Sequence, residues 1–259
     1  MFNKKIITFS LLLTFSLVFG QGEVPDLVTD RPDATESALT VPVNTLQIES
    51  GFLFDKDNSG STDDEVLDFF NTLFRYSFMN DLELRFGLIV REQTTSTSGN
   101  RVYSAPGLAP ASLGFKYHFA EENGPWPEAA IIGIFSLPLG SEAYKPKQVE
   151  PGFTFAFANE LSDRFGLGYN MGVNWSGDNL QYHFGYTIAL SYSITDKLGI
   201  YGEFFGQSTP GEEAPNTIDG GVTVLLWQNF QLDATVGYGV SEPARNLLLG
   251  FGFSWRIPN

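Results

Sequence analysis

The sequence contains two histidines, His118 and His183, and no cysteine. Histidine is the side chain best suited to acid–base chemistry near neutral pH, and one nucleophilic arrangement worth testing is the His-x-Ser pair of barrel phospholipases. Ala120 stands two residues after His118, and Gly185 stands two residues after His183, so neither histidine has the required serine. This pattern disfavours catalysis, and we predict that both histidines act as hydrogen-bonding groups.

An acidic stretch over residues 55–66 resembles a calcium-binding loop, with Gly60 at its sixth position. Its candidate oxygen ligands are Asp55, Asp57, Ser59 and Asp63. The twelfth position is Val66, where a calcium loop needs glutamate, and the sequence predicts no helix on either side. An acidic surface loop is therefore the favoured interpretation, and weak binding of a divalent ion stays as the alternative.

Charge and composition exclude several classes of protein. The chain has 15 basic and 30 acidic residues, a net charge of -15, so it would repel nucleic acid. An apolar content of 42% and an aromatic content of 15% are too high for a disordered chain. Acidic residues also collect in the predicted long loops, where they would disfavour anionic solutes. These are Glu142, Glu150, Glu212, Glu213 and Glu242.

The first 20 residues have the three parts of a secretory signal. Lys4 and Lys5 precede an apolar run over residues 6–19, and the small residue Gly20 follows. The run is shorter than the roughly 20 residues that a membrane-spanning helix needs. We therefore predict that residues 1–20 are a signal peptide and that the mature chain is exported.

From residue 44 onward, apolar residues alternate with small or polar ones, the period of two expected of a strand with unlike faces. About twelve such rows follow one another, and no domain boundary separates them. Tight links at 79–81, 162–164, 195–197 and 227–229 alternate with longer, polar links at 55–65, 92–109, 139–151, 207–216 and 241–245. Short turns on one rim and long loops on the other predict an all-β, up-and-down antiparallel transmembrane β-barrel of the outer-membrane type over residues 44–259.

The residues between the apolar positions favour a membrane barrel over a soluble β-sandwich or a lipocalin-like barrel, which stay as alternatives. This row is dominated by glycine, serine, threonine, asparagine and alanine, which suit a crowded barrel interior. Glycine weakens a strand, so its repeated use there indicates a steric demand. With the apolar rows toward lipid, the following side chains point into the lumen: Glu49, Arg75, Glu83, Arg85, Arg91, Lys116, His118, Tyr201, Glu203 and Arg256. They predict either a network of ion pairs that fills the barrel or a constriction that selects solutes.

Three short segments resemble one known family. They are the lead-in over residues 28–37 with the strand over 46–52, the Pro-Gly-Leu-Ala-Pro stretch that begins at Pro106, and Ser-Leu-Pro-Leu-Gly over 136–140. They are similar to the outer-membrane barrel family described as the MetA-pathway of phenol degradation. The resemblance implies a twelve-stranded outer-membrane channel for small aromatic or hydrophobic solutes.

The lead-in over residues 21–43 contains a dense charged motif. Its members are Asp30, Arg31, Pro32, Asp33 and Glu36. Proline restricts the residue before it to extended backbone, and the acids are placed to pair with the arginine or to accept from backbone amides. The favoured interpretation is a structural lead-in that caps or plugs the periplasmic rim, and the alternative is a segment that enters the lumen and gates it.

The sequence therefore predicts an outer-membrane channel for passive passage of small solutes, without a cofactor and without enzymatic activity. A non-conducting structural or adhesive barrel is the main alternative. The predicted partners are outer-membrane lipid, a small-molecule solute and the outer-membrane assembly machinery, with no nucleic acid and no obligate protein partner.

Overall fold

The computed structural model describes residues 25–258, so the predicted signal peptide lies outside the described residues. In this part of the chain no helix is long and apolar enough to cross a membrane. Thirteen strands form one sheet: β1 (Leu46–Ser59), β2 (Thr62–Met79), β3 (Leu82–Thr97), β4 (Asn100–Leu108), β5 (Ser112–Ala120), β6 (Glu128–Ser136), β7 (Glu150–Ser162), β8 (Phe165–Trp175), β9 (Tyr182–Thr195), β10 (Leu198–Ser208), β11 (Asn216–Trp227), β12 (Phe230–Gly239) and β13 (Leu247–Ile257).

The sheet closes on itself because β1 pairs with β2 along one edge and with β13 along the other. Both β4 and β5 pair with β3, β4 with its second half and β5 with its first. They therefore share one position, and twelve positions surround the barrel. All neighbouring strands are antiparallel, which confirms the predicted up-and-down barrel.

The two ends of the barrel differ in their connections. Short turns join β2 to β3, β7 to β8, β9 to β10 and β11 to β12, and both ends of the described chain lie at this rim. In outer-membrane barrels the short turns face the periplasm and the long loops face outward. We therefore name the two rims the periplasmic end and the extracellular end.

The distribution of polar and apolar side chains is the reverse of that in a water-soluble protein. The largest fully buried side chains are Arg75, Arg256 and Lys116, while Phe251 on β13 is 58% exposed. Along β12 the buried residues include Gln231 and Asp233, and the apolar residues between them face outward. An apolar outer surface around a polar interior is the arrangement that lipid on the outside requires.

Two predicted loops are wrong. Residues 55–65 continue β1 and β2 up to a tight turn, and residues 92–108 continue β3 and form β4. At 14 and 18 residues, β1 and β2 exceed the roughly 9–11 residues needed to cross the membrane. The extra length lies outside the apolar layer, so it has no lipid-facing row, and the alternation that marks a strand is lost.

The loop over residues 137–149 folds against β4, whose only strand neighbour within residues 25–258 is β3. Ser141 donates its backbone N–H to the Leu108 carbonyl (2.9 Å), and the Leu108 N–H donates to Ser141 Oγ (2.8 Å). The Tyr144 hydroxyl donates to the Ala105 carbonyl and accepts from the Gln93 N–H at 3.1 Å. Burial raises the pKa of the Tyr144 phenol, so this hydroxyl keeps its proton and remains a donor.

Candidate functional site

The segment over residues 25–43 lies inside the barrel and is attached at the periplasmic end on both sides. Arg256, near the end of β13, donates to the carbonyls of Pro25 (2.7 Å) and Asp26 (3.0 Å). At the other end of the segment, Val43 forms a bridge with Ser77 near the end of β2. We call residues 25–43 the lumenal segment. It therefore forms a loop that rises into the barrel and returns.

Asp30 is the centre of the charged lumen. Its carboxylate lies 2.8 Å from Arg85 Nη1, 2.9 Å from Lys116 Nζ and 3.2 Å from Arg75 Nη1. Arg75 also contacts Glu49 at 2.7 Å and Glu83 at 2.9 Å. All six of these side chains are buried. Removing one member of such a network leaves an uncompensated buried charge, which is strongly destabilising.

Arg31 fixes the lumenal segment to the adjacent wall of the barrel, on the β13 side of β1. Its guanidinium donates to both oxygens of Asp233 on β12, at 2.9 Å and 3.3 Å. The tip of Arg31 lies directly over Gly51 and Gly252, where an added Cβ would collide with it. Glycine at these two positions leaves room for the arginine. This is the steric demand that the sequence predicts for glycine in the lumen.

The next residues of the segment contact a third part of the wall. The Ala34 N–H donates to Glu203 Oε2 at 2.7 Å, and the Thr35 hydroxyl donates to the same carboxylate. Glu36 donates its N–H to Asn170 Oδ1 (2.6 Å) and accepts from Asn170 Nδ2 at its carbonyl (3.0 Å). The segment therefore contacts side chains of β1–β3 and β5, and also side chains of β8, β10 and β12.

The returning part of the segment contacts the same charged residues. Glu83 accepts the Val41 N–H at 2.9 Å, and Arg75 donates to the Leu39 carbonyl at 3.1 Å. Glu36 forms an ion pair with Arg85 at 2.7 Å. Side chains of the wall therefore hold both arms of the loop.

The structure brings five of the ten predicted lumenal residues together around Asp30, namely Glu49, Arg75, Glu83, Arg85 and Lys116. Glu203 and Arg256 contact other parts of the lumenal segment.

The remaining three do not join this cluster. Arg91 forms an ion pair with Asp68 (2.6 Å) beneath the Tyr144 ring. His118 lies at the periplasmic rim against Asp81 and Glu128. The Tyr201 hydroxyl donates to Thr235 at 2.7 Å.

The candidate calcium ligands lie on two paired strands instead of in a loop. Asp55 forms an ion pair with Arg245 at 3.2 Å, and Asp63 lies 3.8 Å from Lys56. Asp57 stands opposite Asp64 in the ladder, and Ser59 ends β1. Within residues 25–258 no group of three or more histidine, aspartate or glutamate side chains is placed to hold a metal ion.

The lumenal segment divides the lumen into cavities. Two cavities of about 550 and 350 Å³ lie on its extracellular side, and Glu36 borders both. Two more, of about 530 and 280 Å³, lie on its periplasmic side, and Val28 and Leu39 border both. A solute that travels through the barrel therefore meets the segment from either side.

Several residues of the site are absent from the prediction. Leu53, Leu73 and Leu248 line the 350 Å³ cavity, and none of them is among the predicted lumenal residues. Leu53 stands four residues after Glu49, so a period of two turns both side chains to the same face, and this spacing could have predicted that Leu53 points inward. No sequence pattern indicates that Tyr144, from a loop, packs against Arg91.

Solved structures with a similar fold are outer-membrane barrels. The COG4313 outer membrane channel from Pseudomonas putida F1 aligns with a TM-score of 0.60 at 11% identity, over 85% of this chain and 98% of that one. The KdgM porin aligns with a TM-score of 0.52 at 11% identity, over 81% and 98%. The transport unit of the autotransporter AIDA-I from Escherichia coli aligns with a TM-score of 0.53 at 12% identity, over 82% and 89%. These likenesses show a shared fold.

At the level of sequence, no curated protein matches the chain significantly. One family profile, described as "Putative MetA-pathway of phenol degradation", matches residues 29–257. This span includes the lead-in motif and all thirteen strands, so it confirms the resemblance found in the three short segments. The protein therefore belongs to the family described as "Putative MetA-pathway of phenol degradation".

Proposed function

We propose that the protein is an outer-membrane channel for passive passage of small solutes, closed at rest by the lumenal segment. The observation that carries this proposal is the division of a polar lumen into extracellular and periplasmic cavities by a segment held through side chains. The family description names a degradation pathway, and two proteins of similar fold are titled a channel and a porin, which agrees with solute passage.

The way the segment is held supports a gate over a permanent filling. Between residues 25 and 42, all of which the structure describes, no backbone group of the segment pairs with the backbone of the wall. Ion pairs and hydrogen bonds to side chains hold it instead, and these can break without opening the β-sheet. The barrel can therefore stay closed as a sheet while its lumen opens.

The outer surface supports residence in the outer membrane, with lipid as the partner of the apolar rows and the outer-membrane assembly machinery as the route of insertion. The acidic composition is unsuited to nucleic acid. The proposed activity involves no catalysis: His183 contacts Thr209, and His118 contacts two carboxylates at the rim.

Conductance in planar lipid bilayers tests the proposal. The mature chain, residues 21–259, is compared with the same chain lacking residues 21–43. We expect brief, infrequent currents from the mature chain and large, sustained currents from the shortened one. Heat-modified mobility in gel electrophoresis confirms that both barrels are folded. Silence from both folded barrels would refute the channel and favour the structural or adhesive barrel, whose lumen is filled for stability alone.

A further inference from the structure

The 350 Å³ cavity on the extracellular side of the lumenal segment has an apolar wall. Leu53, Leu73, Phe205 and Leu248 from four strands border it, and they make an apolar surface inside the barrel. The transfer of an apolar group from water onto such a surface is favourable. The cavity is therefore suited to the apolar part of a small solute.

The polar border of the same cavity carries an excess of negative charge. Arg31 is its only cation among the described residues, and Asp233 neutralises it. Asp33 and Asp219 also border the cavity, and neither forms an ion pair with a lysine or arginine of residues 25–258. Asp219 Oδ2 accepts from the Thr235 hydroxyl at 3.2 Å, while its buried Oδ1 accepts no hydrogen bond from the described chain.

We infer that this cavity is a binding site for small amphiphilic cations, with the apolar part of the solute against Phe205 and its neighbours and an ammonium group at Asp219 and Asp33. An ammonium group would supply the donors and the positive charge that these carboxylates lack. The inference deepens the proposed function by naming a solute class for the extracellular half of the path. Because residues 30–34 and Glu36 border the site, a bound solute would touch the segment that closes the lumen.

Saturation-transfer difference NMR on the mature barrel in detergent tests the site, with empty micelles as the blank. Three probes share one ring and differ in charge: benzylamine, benzyl alcohol and benzoate. We expect benzylamine to give the strongest saturation transfer, benzyl alcohol a weaker one and benzoate none above the blank. Equal signals from benzylamine and benzoate, or no signal from benzylamine, would overturn the inference.

Two variants locate the binding. Asp219→Asn should weaken benzylamine binding about tenfold, since a hydrogen bond to a charged group is lost. Phe205→Ala should weaken benzylamine and benzyl alcohol alike. The matched controls, Glu150→Gln and Ile134→Ala, change the separate 550 Å³ cavity and should leave binding unchanged. Unchanged affinity in both test variants would contradict the site.

This experiment measures binding and not current, so its result is independent of conductance. A barrel that binds benzylamine but stays silent in bilayers would refute the proposed channel and keep the site. A barrel that conducts but does not discriminate among the three probes would refute the site and keep the channel.

Discussion

Arg31 and Asp233 are separated by 202 residues in the sequence and form a two-point ion pair inside the barrel. One partner belongs to a segment without regular secondary structure and the other to the wall of the barrel. This pair is therefore a direct link between the position of the lumenal segment and the state of the lumen.

Loss of this link should favour the open channel. A hydrogen bond between charged groups contributes about 1.5–3 kcal/mol, so Arg31→Ala should raise the open probability by roughly tenfold or more. Single-channel recording in bilayers measures this. Arg101→Ala is the matched control, because Arg101 is 63% exposed in its side chain at the extracellular end. An open probability equal to that of the control would show that the pair does not hold the closed state.

A covalent link between the segment and the wall should abolish conduction reversibly. The hydroxyl oxygens of Thr35 and Thr187 are 2.7 Å apart, so cysteines at these two positions would bring their sulfur atoms within bonding range. The chain has no cysteine of its own, so the double variant forms a single defined disulfide. We expect no current when it is oxidised and restored current after reduction, with Thr35→Cys alone insensitive to reductant. Steady current through the oxidised, fully cross-linked barrel would mean that solutes pass beside the segment.

The open channel should prefer cations. With the lumenal segment displaced, the described wall keeps the acids Glu49, Glu83, Glu203, Asp219 and Asp233 against the cations Arg75, Arg85, Lys116 and Arg256. The lumen is therefore negative overall, and the local potential should concentrate cations. The reversal potential under a salt gradient measures the preference, and Arg85→Ala should shift it further toward cations. An unchanged reversal potential in Arg85→Ala would show that the charges around Asp30 do not line the conducting path.

The outward apolar rows should tolerate a charge only outside the membrane layer. Ile188 lies in the middle of β9 and faces outward, so Ile188→Arg should reduce the free energy of unfolding in lipid vesicles by about 2–4 kcal/mol. Val102 is also exposed, at 63%, but lies on β4 near the extracellular turn. Val102→Arg should change the same free energy by about 0–1 kcal/mol, as near an interface. Equal effects at both positions would argue against a lipid layer around β9.

The period of two predicted both the barrel and the inward direction of the charged residues, because a closed sheet turns alternate side chains to opposite sides. The same period could not predict which of these charged side chains would contact one another. Glu49, Arg75 and Glu83 become neighbours through the register of β1–β3, which hairpin pairing sets, and the pairs Arg75–Arg85 and Gln47–Arg75 stand directly opposite.

The position of the lead-in was the least predictable part. Pro32 and its neighbours indicate an extended segment, but only the arrangement of charges on the folded wall draws Asp30 between Arg85 and Lys116. The extracellular parts of β1–β4 were missed for a different reason, since strands without a lipid-facing row carry no alternation for the sequence to display.

The lumenal segment is covalently joined to the barrel that it closes, and both of its ends are held at the periplasmic end. Closure is then an intramolecular event, and a short flexible tether gives the segment an effective concentration on the order of millimolar at its own site. The rate of closure should therefore not depend on the concentration of the protein in the membrane. Because the lumen is closed at rest, a free peptide with the sequence of residues 21–43 should block half of the shortened barrels well below that effective concentration.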